Sequence, residues 1–180
     1  MKTTSTLFET VEKEIIDSTY EIFSTMIPLE IKSGKVFNRE EKDIQEEVMS
    51  LVSFSGEHSG IIALFCSRKI ALKITSLMLG IDTFELDHDT KDAIGEVTNM
   101  IAGNLKNRVY TDLGTMHLAV PLVVAGTDMT ISSSSRENGE CTHSPLYVKP
   151  ANNQNMWVIF PFSSAEGTFH VGMKINHEKS

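Results

Sequence analysis

The sequence predicts an α+β fold, a mainly antiparallel sheet built from hairpins with long helices packed on one of its faces. Three observations carry that reading. Apolar residues recur at helical spacing in three separate segments. Two pairs of β-rich runs are each joined by a short polar turn, the pattern of hairpins rather than of parallel crossovers. The resulting order, helix, strands, helix, helix, strands, pairs consecutive strands locally and groups the helices. A chain of 180 residues with 41% hydrophobic and 22% charged content suits one domain over residues 1–180, with a sizeable core.

The first helix is expected over residues 7–27, where Phe8, Val11, Ile15, Ile22, Phe23 and Met26 fall at helical spacing. Pro28 ends it, because the residue before a proline is pushed out of the helical region. Residues 30–37 make a short extended candidate, and the charged run 38–47 reads as a solvated connection or a turn of helix. Residues 48–55 (VMSLVSFS) and 60–66 (GIIALFC) are apolar and partly alternating, and GEHS between them closes a hairpin. Helical spacing returns over 68–79 and stops at Gly80, a natural C-terminal cap. The central helix follows over 92–110, with Asp87 or Asp89 able to cap its start. Residues 115–124 and 127–135 are strand material interrupted by Pro121 and Gly126, which places Pro121 at a strand end, an edge or a bulge. Residues 132–143 form a polar loop and 146–150 a short edge segment. Residues 156–162 and 168–175 make the second hairpin, with Trp157 in the core.

Charge and composition exclude several functions. The net charge of −8 comes without a clustered Lys/Arg patch, which argues against nucleic acid or an anionic membrane as partner. The first helix carries Glu9, Glu12, Glu14, Asp17 and Glu21, so it is neither a secretory signal nor a span, and the expected location is the cytosol. Cys66 and Cys141 lie far apart without CxxC or Cys/His pairing, which fits reduced thiols. The six histidines fall singly, so no metal site is indicated, and there is no glycine-rich phosphate loop and no GxSxG elbow.

The segment 92–110, DAIGEVTNMIAGNLKNRVY, has polar residues placed for more than solubility. Wound as a helix, it gathers Ile94, Val97, Ile101, Leu105 and Val109 into a stripe about 120° wide, an ordinary core-facing side. Opposite, Asp92, Glu96, Asn99, Gly103 and Asn107 stack within about 80°, with Lys106 at the edge. Exposed helix faces favour Glu, Lys, Gln and Arg, whereas Asn and Gly cost several tenths to about 1 kcal/mol of helix propensity relative to Ala. Gly103 removes a side chain that would hold another molecule's backbone away. Glu96 and Asn99, three apart, project from neighbouring points and can enter one small cleft together. The plain alternative is that Asn99 and Asn107 are ordinary surface residues and that Gly103 makes a tight contact within the fold.

Asp92, Glu96, Asn99 and Pro121 together resemble the signature of the CheC/CheX/FliY family of chemotaxis phosphatases. That pattern reads Asp or Ser, three residues, Glu, two residues, Asn, twenty-one residues, Pro, and every spacing is met here. GNLKNR at 103–108 and the SGEHSGIIALFCS hairpin add to the likeness, as do length and element order over nearly the whole chain. One signature per chain resembles the CheX-like branch, since the first helix offers no Glu followed by Asn at three. FliY-like members carry further segments for which this chain has no room.

The resemblance implies removal of the phosphoryl group from the phosphoaspartate of a CheY-like response regulator. Asn99 would fix a water for in-line attack, Glu96 would pair with a regulator lysine, and Asp92 would support Glu96 or the rim. Gly103, Lys106 and Asn107 would meet the partner, and Pro121 would be structural. The Mg²⁺ would belong to the regulator, with no cofactor bound by this chain, and the protein would form a homodimer through its sheets. The alternatives are a non-catalytic module that holds a phosphorylated receiver through the same face, and a structural subunit related to the flagellar switch.

Overall fold

The computed structural model describes residues 4–131 and 156–176. It begins with α1 (Thr4–Thr25), followed by the short strands β1 (Lys32–Ser33) and β2 (Phe37–Glu40) and a 3₁₀ turn at Glu41–Asp43. The long hairpin β3 (Gln45–Gly56) and β4 (Ser59–Cys66) leads into α2 (Arg68–Leu79) and α3 (His88–Leu113). Then come β5 (Met116–Leu118), β6 (Leu122–Thr130), β7 (Met156–Ser164) and β8 (Gly167–Asn176). The polar loop expected at 132–143 and the edge segment at 146–150 lie outside the described residues, as does Cys141.

All eight strands join one sheet, in the order β1, β7, β8, β4, β3, β5, with β2 also on β7 and β6 also on β3. Every pairing is antiparallel. Both expected hairpins are present, in registers running Val48↔Cys66 to Phe54↔Gly60 and Val158↔Met173 to Ser164↔Gly167. Pro121 sits immediately before β6, where its missing N–H costs no ladder bond. Gly126 falls where β6 slips against β3, between the pairs Glu46↔Met129 and Val48↔Ala125.

Side chains alternate across the sheet, so each strand serves two faces. Val48, Val52 and Phe54 of β3, Ile62, Leu64 and Cys66 of β4, and Phe169, Val171 and Met173 of β8 meet the apolar sides of all three helices in one core. Phe169 stacks between Phe23 of α1 and Phe162 of β7, with ring centroids 4.8 and 5.3 Å away, and so ties the first helix to the last hairpin. The opposite face is apolar too: Met49, Ala63, Phe65, Trp157 and Ile159 are buried there with Ile44. Burial on both faces accounts for the unbroken apolar run of β4.

The run 38–47, expected to be a solvated connection or a turn of helix, holds a 3₁₀ turn at Glu41–Asp43 but otherwise contributes most of β2 and the start of β3. Within it Glu41 is buried and its carboxylate meets Lys174 Nζ of β8 at 3.1 Å, on the face away from the helices. A charge run with no apolar periodicity gives no hint of a partner that lies 133 positions further along the chain.

The helix boundaries have local causes. Ser67 caps α2 by accepting from Ile70 N–H, the Glu47 carboxylate accepts from Arg68 N–H at 2.8 Å, and Gly80 ends the helix in the left-handed region at φ 69°. Cys66, fully buried at the end of β4, has its thiol pushed far up, first by burial and then by the nearby charges of Glu46 and Glu47. Cys66 should therefore resist iodoacetamide at pH 8 in the native protein and react only after denaturation. Peptide mapping of the labelled protein checks this, and prompt native labelling would contradict it.

Candidate functional site

The candidate site is the outward face of α3. The helix runs further at both ends than the 92–110 stripe suggests. Asp87 is the N-cap, accepting from Thr90 N–H at 2.9 Å, a bond that holds its carboxyl below the usual carboxylate range. Thr90 in turn donates its hydroxyl to Glu85 O at 2.7 Å, fixing the loop that feeds the helix. The far end closes when Gly114 N–H donates to Tyr110 O.

The inner stripe is as expected: Ile94, Val97, Ile101, Leu105 and Val109 are all buried. Burying this stripe fixes the rotation of the helix and turns the opposite sector outward. Glu96 and Asn107 are exposed, and Asn99, Gly103 and Lys106 are half-buried on that sector. Among the described residues, neither Glu96 nor Asn99 has a hydrogen-bond or ion-pair partner. Two polar side chains three apart on a rigid helix are thus left unengaged by the fold. A Cβ built on Gly103 would meet nothing within 4 Å, so this glycine makes no tight contact inside the protein and its bareness faces open space.

Asp92 has a partner that the sequence reading did not single out. Its carboxylate lies 3.0 Å from His88 Nδ1, one turn towards the N-terminus, and both side chains are exposed. An exposed pair of this kind adds little stability. Its signal was the i, i+4 spacing, which counts only once the helix is known to start at His88. Arg108 was likewise passed over. It reaches from α3 to two carboxylates of α1, Glu14 at 3.1 Å and Glu21 at 2.6 Å, which raises its own pKa further and holds the two helices side by side.

Gly95, beside Glu96, is the close-packed glycine of this helix. A Cβ there would stand 3.2 Å from Val123 Cγ2 and 3.5 Å from Pro121 Cβ. Pro121 thus lies beside the helix one residue before Glu96. Among the described residues, no group of three His, Cys, Asp or Glu side chains is arranged to hold a metal ion, and no helix is long and apolar enough to cross a membrane.

A three-helix layer on one face of an antiparallel sheet, with a single outward Glu/Asn face on its longest helix, defines a protein of the CheC/CheX class. The family description "Chemotaxis phosphatase CheX" matches residues 48–143, which include the whole signature, and the chain belongs to that family. The CheY-P phosphatase CheX of Thermotoga maritima is 30% identical over 120 residues, spanning 66% of this chain and 77% of that protein. The crystal structure of the chemotaxis protein CheX from Desulfovibrio desulfuricans is 25% identical and superposes with a TM-score of 0.75 over 92% of this chain and 99% of that one. A CheX–CheY–BeF₃–Mg²⁺ complex from Borrelia burgdorferi, 21% identical, shares the fold with a TM-score of 0.66 over 92% and 97% of the two chains.

Proposed function

We propose that this chain hydrolyses the phosphoaspartate of a CheY-like receiver domain, with Asn99 positioning the attacking water and Glu96 anchoring the receiver. The observation that carries the reading is the pair of outward side chains, Glu96 and Asn99, that nothing in the described fold engages. An acyl phosphate is already reactive, so the catalyst supplies no nucleophile of its own. A placed water and a prepared charge environment suffice.

The Asn99 side-chain carbonyl accepts a hydrogen bond from a water and aims its lone pair at phosphorus, in line with the bond to the aspartyl oxygen. That bond breaks with its electron pair going to the receiver carboxylate, and inorganic phosphate leaves. Glu96, one turn away, pairs with a cationic side chain beside the receiver's phosphoryl group and sets the register of the helix. The Mg²⁺ that neutralises phosphoryl charge is held by the receiver, as the Borrelia complex carries Mg²⁺ together with CheY. Lys106 and Asn107 lie along the same face for contact with the receiver's rim. The reaction takes place in the cytoplasm.

The sheet edge supports a homodimer. Among the described strands β6 pairs only with β3, and Leu122 and Val124 on it, with Val120 just before it, stand exposed.

The test is to follow the decay of a phosphorylated CheY-like receiver from the same organism with and without the protein. Glu96→Ala should lower both receiver affinity and the rate. Wild-type kinetics in that variant would remove Glu96 from the site.

Gly103→Ala offers a sharper contrast. Replacing a mid-helix glycine that faces open space should raise stability by about 1 kcal/mol, while the added methyl weakens receiver binding and raises KM. A thermal melt and steady-state kinetics read both, and an unchanged KM would show that no partner approaches there.

A further inference from the structure

We infer that Gly95 and Pro121 form a close-packed seat that sets the depth and rotation of α3, making Gly95 a positioning residue for Asn99 and Glu96. The inference rests on the reading of those two residues given above.

Gly95 is buried where its neighbours in the signature are not. An ideal Cβ there would crowd Val123 Cγ2 at 3.2 Å and stand in ordinary contact with Pro121 Cβ at 3.5 Å. Helix and strand therefore approach closely enough here that a methyl group would be crowded by Val123. Gly95 also lies four residues before Asn99, and side chains on a helix lean back over the preceding turn. The seat is thus directly beneath the side chain assigned to the water, and it adjoins Glu96 in sequence. Pro121, with φ fixed by its ring, presents an unyielding surface to the helix at that point.

A methyl group at Gly95 would force Val123 to give way by a few tenths of an ångström or lift the helix by as much. Catalysis by a held water is sensitive to such a shift, since a misplacement of about 1 Å can cost about 100-fold in rate. For stability two terms oppose each other, the better helix propensity of Ala and the crowding of its methyl against Val123.

The test uses Gly95→Ala, alone and with Val123→Ala, which removes the obstructing methyl. The expected result for Gly95→Ala is a fall in kcat of about tenfold, with KM for the phosphorylated receiver little changed and the melting temperature close to wild type. The double variant should recover most of kcat. Wild-type kcat in Gly95→Ala, a loss of kcat that merely tracks a lowered melting temperature, or no recovery in the double variant would each overturn the proposal. Asn99→Ala is run in parallel. If Asn99→Ala loses its rate acceleration while Gly95→Ala keeps it, the seat alone fails. If Asn99→Ala is fully active, the site assignment fails and the seat falls with it.

Discussion

Asn99→Ala should bind the phosphorylated receiver as wild type does and yet lose its rate acceleration, by about 100-fold or more. Asn99 carries no charge, takes no ion pair and makes no hydrogen bond to the described residues, so its removal leaves the helix and its anchor intact. What disappears is the polar group assigned above to the attacking water. The change should also stabilise the helix slightly, by about 0.5 kcal/mol on propensity, so unfolding cannot account for a lost rate. Phosphoaspartate decay under single-turnover conditions, with receiver affinity measured separately, checks this. Undiminished hydrolysis in the variant would sink the mechanism.

The largest effect on stability is expected at a residue far from the site. Glu41→Ala should destabilise the protein by about 3 kcal/mol, because it strips a carboxylate from a lysine buried in the sheet's second face. The side chains of Lys174 and Glu41 are only 9% and 4% exposed and stand 3.1 Å apart. A surface pair at the same distance would contribute about 0–1 kcal/mol. Replacing both together, Glu41→Leu with Lys174→Met, should recover most of the loss, since neither charge is then left in an apolar setting. Urea denaturation of the single and double variants gives the comparison. A cost below about 1 kcal/mol for Glu41→Ala would mean that water reaches the pair.

These two residues mark how far the sequence could be read. Asn99 was legible because its oddity is local: a poor helix former on a face with Glu96, opposite a stripe of Ile94, Ile101 and Leu105 that proves fully buried. The bounds of α2 were legible for the same reason, since its stop is written in Gly80 itself. Glu41 was not legible. Its role depends on a strand at the far end of the chain, and a run of charges looks alike whether water or a buried lysine receives it. Gly95 was hidden in another way. On a helix wheel it falls between the core stripe and the outward sector, and only the approach of Pro121 and Val123 distinguishes it from Gly103. The start of α3 was read late because His88 and Asp89 carry no apolar signal, although the Asp87 cap was in view. Arg108 shows the limit plainly, since its partners Glu14 and Glu21 lie on another helix and no spacing in the sequence links them to it.

Trp157, the chain's single tryptophan, is fully buried on the sheet face opposite α3, against the edge of Phe65 at 5.4 Å. The molecule thus carries an optical probe insulated from its own working surface. Its emission should shift when the sheet unfolds and should not change in a variant altered only on the outward face of α3, so one cuvette can separate a variant that has come apart from one that has merely stopped working.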